Sequence, residues 1–240
     1  MRSVTETDGV LLVDKAPRMT SHDVVAIARR ALGTKKVGHC GTLDPLATGL
    51  LLITIGRGTK IQDLLMSEDK EYVGTLRLGE VTDSQDADGE VIERHSVPEL
   101  SQQQIEEAFG KFKGDFYQMP PMVSAIKKDG VPLYKLARQG KQVEREPRFV
   151  RVYAQEIKAI RLPEIDFMVV CSKGFYVRTY ANDIGRELGC GAHLKTLRRT
   201  KSGRFSVEQA VSVEELKTLS REHLLHRILS LPAVSRFRGA

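Results

Sequence analysis

A chain of 240 residues with 41% hydrophobic residues can bury one large core or two small ones, and no stretch of it approaches the roughly 18 apolar residues of a membrane-spanning helix. Its three cysteines, Cys40, Cys171 and Cys190, form no Cys-x-x-Cys pair, which argues against a disulfide framework; Cys190 and His193 are spaced like metal ligands but lack the others a zinc site needs, so no metal is expected. A net charge of +6 and an isoelectric point near 9.2 favour a polyanionic partner, and an N-terminus without a signal peptide's apolar stretch implies a cytoplasmic location.

In chain order, Val10 to Asp14 reads as a strand, and Thr20-Ser21-His22-Asp23 offers a capping box before Val24, Ile27, Ala28 and Ala31 at helical spacing. Gly33 closes that helix. Leu50 to Ile55 and Tyr72 to Leu78 read as strands, and Ser101 opens a helix with Ile105, Ala108, Phe109 and Phe112 on one face. Residues 119 to about 148 differ in character, because prolines at 120, 121, 132 and 147 bracket a basic stretch with one short helix, Leu133 to Gln139. This is the pattern of an insertion. Strands return at Phe149 to Tyr153 and Phe167 to Ser172, Thr179 to Leu188 forms a helix ending at Gly189, and the tail from Val211 is helical in pattern. The alternation predicts a mixed α/β (α+β) fold.

Charge is unevenly distributed. Residues 127 to 161 hold ten Lys or Arg against four acids, residues 193 to 204 hold five bases and no acid, and residues 67 to 93 hold nine acids against two bases. Two basic segments facing a polyanion would release its counterions, the footprint of nucleic-acid binding, although a solvated basic surface has the same composition.

The segment Gly38-His39-Cys40-Gly41-Thr42-Leu43-Asp44-Pro45-Leu46-Ala47-Thr48-Gly49 presents a single carboxylate in a glycine-flanked loop. The glycines permit close approaches, and Pro45 biases Asp44 toward extended geometry. The Asp-Pro pair would also suit the start of a helix. His39 five residues earlier, and the apolar run that follows, favour a mounted catalytic group.

These twelve residues resemble the signature of the bacterial tRNA pseudouridine synthases of the TruB type. Further blocks match in the family's order: Gly9 to Lys15 with Thr20-Ser21, Lys70-Glu71-Tyr72, Thr82 to Gly89, Pro120 to Lys127 and Cys171 to Thr179. Six ordered blocks over roughly residues 9 to 205 are far more specific than one short motif. The resemblance implies a mainly antiparallel mixed sheet flanked by helices, with a catalytic domain over 1–211, a mobile basic thumb at about 119–148 that clamps the T-arm, and a short helical tail at 212–240 with no complete PUA domain. It implies a monomer acting on the T loop of tRNA, at uridine-55, with no cofactor and no obligatory protein partner.

By that resemblance Asp44 is the nucleophile, attacking either C1′ of the ribose or C6 of the base, and Arg178 is the cation that keeps it ionised. In its apolar, aromatic setting Arg178 could instead snorkel at a strand edge. Asp86 would share this arginine, though it could equally shape the Asp83 to Gly89 turn. Tyr72 would stack on the flipped base and assist removal of the C5 proton, where the strand pattern alone makes it a core tyrosine. His39 would enter the space that the base vacates, Leu197 would line the uracil pocket, and Lys127 would contact RNA from the thumb. On pattern alone Leu197 is core. Two rivals use the same residues: a binding-only RNA chaperone, and a glycosidase-like hydrolase in which Asp86 would be the second carboxylate.

Overall fold

The computed structural model describes residues 8–122, 127–128, 131–132 and 143–238, without the side chains of 123–142 and 238. Its elements in chain order are β1 (Gly9–Lys15), α1 (Ser21–Leu32), β2 (Val37–Cys40), β3 (Thr48–Ile55), α2 (Gln62–Met66), β4 (Lys70–Leu78), β5 (Glu80–Thr82), β6 (Val91–Arg94), α3 (Gln102–Gly110) and β7 (Gly114–Gln118). There follow β8 (Lys127–Lys128), β9 (Val131–Pro132), β10 (Arg148–Arg161), β11 (Glu164–Cys171), α4 (Val177–Glu187), β12 (Ala192–Ser202), β13 (Phe205–Ser206) and β14 (Val211–Ser212). The C-terminal part consists of α5 (Val213–Thr218), α6 (Arg221–His226), β15 (Leu229–Ser230) and α7 (Leu231–Arg238). The expected helix Leu133 to Gln139 lies outside the described residues.

The chain divides into two units, one of residues 1–72 and 197–240, the other of residues 73–196. In the first unit β1 pairs antiparallel with β3 along its whole length, β3 pairs antiparallel with β2, and β14 and β12 add parallel neighbours at β1 and β3. Leu50, Leu51, Leu52 and Ile53 of β3 are fully buried, as expected of a continuous apolar run in a strand covered on both faces. Helix α1 starts where its capping box predicts: the Thr20 hydroxyl accepts from the Asp23 backbone N–H at 3.1 Å, and the Asp23 carboxylate accepts from the Thr20 backbone N–H at 2.7 Å. Gly33, left-handed at φ 63°, ends it. Val24, Val25, Ile27, Ala28 and Leu32 form the helix's buried stripe.

In the second unit the order is β4-β11-β10-β7, and both β11 and β7 pair antiparallel with β10. Helices α3 and α4 contribute Phe109 and Tyr180 to an aromatic cluster with Phe167 of β11, at centroid separations from 5.7 to 6.2 Å. The whole is a mixed α/β structure in which antiparallel pairing predominates.

Boundaries moved where the local pattern was interrupted. Strand β10 runs nine residues longer than the alternation indicates, because register shifts between Val152 and Ala154 and between Ile157 and Ala159 break the period of two. Helix α3 ends at Gly110, so Phe112 reaches Phe116 and Tyr180 from the turn that follows rather than from the helix. Helix α4 begins at Val177, two residues early, and the tail alternates short helices with β15. Strand β12 escaped sequence reading because Lys195, Arg198, Arg199 and Lys201 disguise it as a solvated basic segment.

Candidate active site

Loop 41–47 joins the antiparallel strands β2 and β3, and Asp44 sits at its middle. The Asp44 carbonyl accepts from the Ala47 N–H at 3.1 Å, closing a turn with Pro45 as its second residue. The Asp-Pro pair therefore opens a tight turn and not a helix. Gly41 at φ 81° lets the chain leave β2, and Gly49 at φ 98° lets β3 approach β12 so closely that a Cβ there would lie 2.3 Å from the Arg199 carbonyl oxygen.

The loop is braced from several directions by groups buried in the same unit. Ser21, 1% exposed at the start of α1, accepts from the Leu43 N–H at 2.9 Å and donates to the Leu43 carbonyl at 3.1 Å. Because Thr20 already caps the helix, the Ser21 hydroxyl is available for this longer-range bond. Lys15, completely buried, donates to the Met19 carbonyl at 2.7 Å, the Ala16 carbonyl at 2.9 Å and the Pro45 carbonyl at 3.4 Å. The Arg18 N–H also reaches the Pro45 carbonyl, at 2.9 Å, from a left-handed backbone at φ 61°. Arg199, 1% exposed, spreads its guanidinium between the Leu50 carbonyl at 2.7 Å and the Gly41 carbonyl at 3.1 Å.

Lys15, Ser21 and Arg199 carried no site assignment in the sequence. The available signal for Arg199 was its period-two register with the buried Leu197, which puts both side chains on one face of β12. For Ser21 the sequence offers only its place in a capping box whose capping hydroxyl is that of Thr20.

Beside the loop, His39 of β2 is half-buried, with its ring 5.1 Å from and edge-on to that of His22. Its carbonyl accepts from the Gln62 amide at 3.0 Å. Among the described residues the buried Nδ1 has no hydrogen-bond partner, and burial first, then the electrostatic influence of His22 and Arg199, pushes the imidazole down to about 4. His39 is thus neutral near pH 7, a flat aromatic group rather than a cation. Burial likewise pushes the neighbouring Cys40 thiol up to about 12, which leaves it inert. Leu197 of β12 is buried, and its carbonyl accepts from the Thr48 hydroxyl at 3.3 Å, beside the β3 end of the loop. Tyr72, also buried, follows Glu71, which holds Thr200 at 2.8 Å and Lys201 at 3.0 Å.

In the second unit, Arg178 in the first turn of α4 and Asp86 are each 4% exposed and pair at 3.5 Å. Arg178 also donates to the Ser84 carbonyl at 3.0 Å, while the Asp86 carboxylate accepts from the Ser84 hydroxyl at 2.6 Å and the Asp88 N–H at 3.1 Å. The flanking residues fasten this loop: the Leu194 N–H donates to the Gln85 carbonyl at 3.0 Å, and the Ala87 N–H donates to the Leu194 carbonyl at 2.9 Å. Arg178 is therefore a buried ion-pair partner at a helix start, not a strand-edge side chain directed to water. Lys127 falls in β8, and its side chain lies outside the described residues. Among the described residues no group of three or more His, Cys, Asp or Glu is arranged to hold a metal, and no helix is long and apolar enough to cross a membrane.

Compared with known families, residues 29–177 match the TruB family pseudouridylate synthase N-terminal domain, and residues 178–232 match the tRNA pseudouridylate synthase B C-terminal domain. The chain belongs to the TruB family of pseudouridine synthases. Its relative in Opitutus terrae, named tRNA pseudouridine synthase B, is 54% identical over 224 residues, 93% of each chain. A relative of the same name in Syntrophotalea carbinolica is 47% identical over 95% of this chain and 75% of its own length. A solved structure titled a Cbf5-Nop10-Gar1 complex superposes with a TM-score of 0.74 at 28% identity, covering 97% of this chain and 63% of that one. Membership makes this TruB-family chain an isomerase, and the mixed sheet that carries loop 41–47 is a pseudouridine synthase fold.

Proposed function

We propose that the protein converts the T-loop uridine of tRNA, uridine-55, to pseudouridine, with Asp44 as the nucleophile. The observation that carries this reading is the bracing of loop 41–47: buried polar side chains hold residues 41, 43 and 45 around the half-buried Asp44, a rigidity that a solvated surface turn does not need. Relatives named tRNA pseudouridine synthase B support tRNA as the substrate.

In this mechanism the uridine is flipped out of the T loop, and the Asp44 carboxylate attacks C1′ of the ribose or C6 of the base. The bond between C1′ and N1 breaks, the base turns, C5 joins C1′, the bond to Asp44 breaks so that the free carboxylate is regenerated, and the proton on C5 is lost while N1 takes one up. The reaction is a redox-neutral isomerisation, which calls for neither cofactor nor metal. Arg178, itself locked to Asp86, supplies the positive charge that favours ionised Asp44; Tyr72 stacks on the uracil and assists departure of the C5 proton; Leu197 lines the pocket. The neutral ring of His39 fills the space that the base leaves, and Lys127 contacts the T-arm from the basic segment at 119–148.

Tritium at uracil C5 of unmodified tRNA reports the reaction. Release confined to the T-loop uridine and abolished by Asp44→Asn, with tRNA still bound, is the expected result. Binding without release by the wild-type protein would point to an RNA-binding protein, and free uracil among the products would point to a hydrolase.

A further inference from the structure

The three side chains that brace the Asp44 loop differ in what they hold. Lys15 ties together the lead-in to α1 and touches Pro45 at 3.4 Å. Ser21 and Arg199 bind across 22 and about 150 residues of sequence, respectively, and their bonds end on the loop itself or on the strand that leaves it. Burying a guanidinium or a hydroxyl is unfavourable unless its donors are satisfied, and an apolar side chain of similar size would fill either space without that constraint. What the polar groups add is direction. Leu43 directly precedes Asp44, and the two bonds to Ser21 fix its N–H and C=O as a strand neighbour would, in a segment that has left the sheet. Arg199 fixes the Gly41 carbonyl at the loop's start and the Leu50 carbonyl beyond its end. The carboxylate between these anchors inherits their position.

We propose that Ser21 and Arg199 are positioning residues for the isomerisation, acting through the backbone on either side of Asp44 and not on the RNA. The proposal rests on Asp44 as the nucleophile. Charge counted along 193–204 would place Arg199 among RNA-contacting cations; at 1% exposure it cannot reach a phosphate, so its effect must pass through the loop.

The test compares wild type, Ser21→Ala, Arg199→Lys and Asp44→Ala in single-turnover tritium release at saturating tRNA, with tRNA Kd and melting midpoint measured alongside. Ser21→Ala is expected to slow the single-turnover rate about 10- to 100-fold at unchanged Kd, since displacing a reacting group by an ångström costs about that much. Arg199→Lys, which keeps the charge but loses the two-pronged geometry, should slow it about tenfold with Kd again unchanged. A purely structural role would instead lower the melting midpoint and the amount of active protein while leaving the rate per folded molecule intact, and that result overturns the proposal. So does a wild-type rate in both variants, or a rise in Kd that accounts for the whole loss. If Ser21→Ala loses its melting transition, Arg199→Lys decides alone by the same criteria. Turnover by Asp44→Ala would show that the nucleophile reading itself has failed, and the positioning proposal falls with it.

Discussion

At the scale of the residue, the consequences of burial are sharpest at His39. Its folded-state pKa of about 4 lies below the ordinary value of 6.5, so between those values the unfolded chain takes up a proton that the folded chain refuses. The contribution is therefore fully present above pH 6.5 and is lost as pH falls toward 4. Urea midpoints should drop from pH 7.5 to pH 5, and the drop should be smaller in His39→Gln; an equal drop would assign the acid sensitivity to other groups. Asp44 illustrates what was legible at this scale. Its glycine-flanked, proline-followed setting marked it in the sequence, but whether the Asp-Pro pair opened a helix or a turn depended on the Ala47 N–H, which bonds the Asp44 carbonyl. The roles of Ser21 and Arg199 were illegible because their partners lie far away in sequence and are backbone carbonyls and N–H groups, which carry no residue identity.

At the scale of the element, the close approach of β3 and β12 depends on Gly49. Its φ of 98° is a conformation that L side chains rarely adopt, and an added Cβ would lie 2.8 Å from the Arg199 nitrogen as well as 2.3 Å from its carbonyl oxygen. Backbone atoms cannot swing aside as a side-chain end can. Gly49→Ala should therefore destabilise the fold by roughly 1 to 3 kcal/mol or more, combining left-handed strain with overpacking, as read from urea unfolding. A change within about 0.5 kcal/mol would mean that the strands separate freely at this point. Regular elements announced themselves where one pattern ran uninterrupted: the apolar run of β3 and the capped stripe of α1 were read correctly to within two residues. Strand β10 was cut short because its bulges shift the alternation, and β12 was missed because its charges find acids on neighbouring elements.

That pairing matters at the scale of the whole molecule, because charge counted along a sequence window is not charge offered to a ligand. In the 193–204 cluster, Lys195 pairs with Glu164, Arg198 with Asp14 at 2.7 Å and Lys201 with Glu71 at 3.0 Å, while Arg199 is buried. In the 127–161 segment, Arg151, Lys158 and Arg161 pair with Asp115, Glu156 and Asp166. Exposed pairs of this kind add little stability, but each lowers the charge left to meet phosphate. The salt dependence of tRNA binding should accordingly be shallower than fifteen cations would imply. Reversing Lys127, Lys128 and Lys135 to glutamate should weaken binding and flatten the slope of log K against log salt by about 0.7 to 0.9 for each phosphate that the protein no longer neutralises. An unchanged slope would remove the 119–148 segment from the RNA-binding surface.

By itself the sequence determined the fold class, the family resemblance and the position of Asp44, because these depend on periodicity, capping residues and ordered motifs that are local along the chain. The tertiary structure alone decided that Asp44 opens a tight turn in a loop tied to α1 by Ser21, that Arg199 is a buried brace rather than a phosphate ligand, and that Arg178 is locked to Asp86 at the start of a helix. Each of these depends on which distant groups satisfy a buried donor or charge, and burial makes that pairing obligatory while sequence distance hides it.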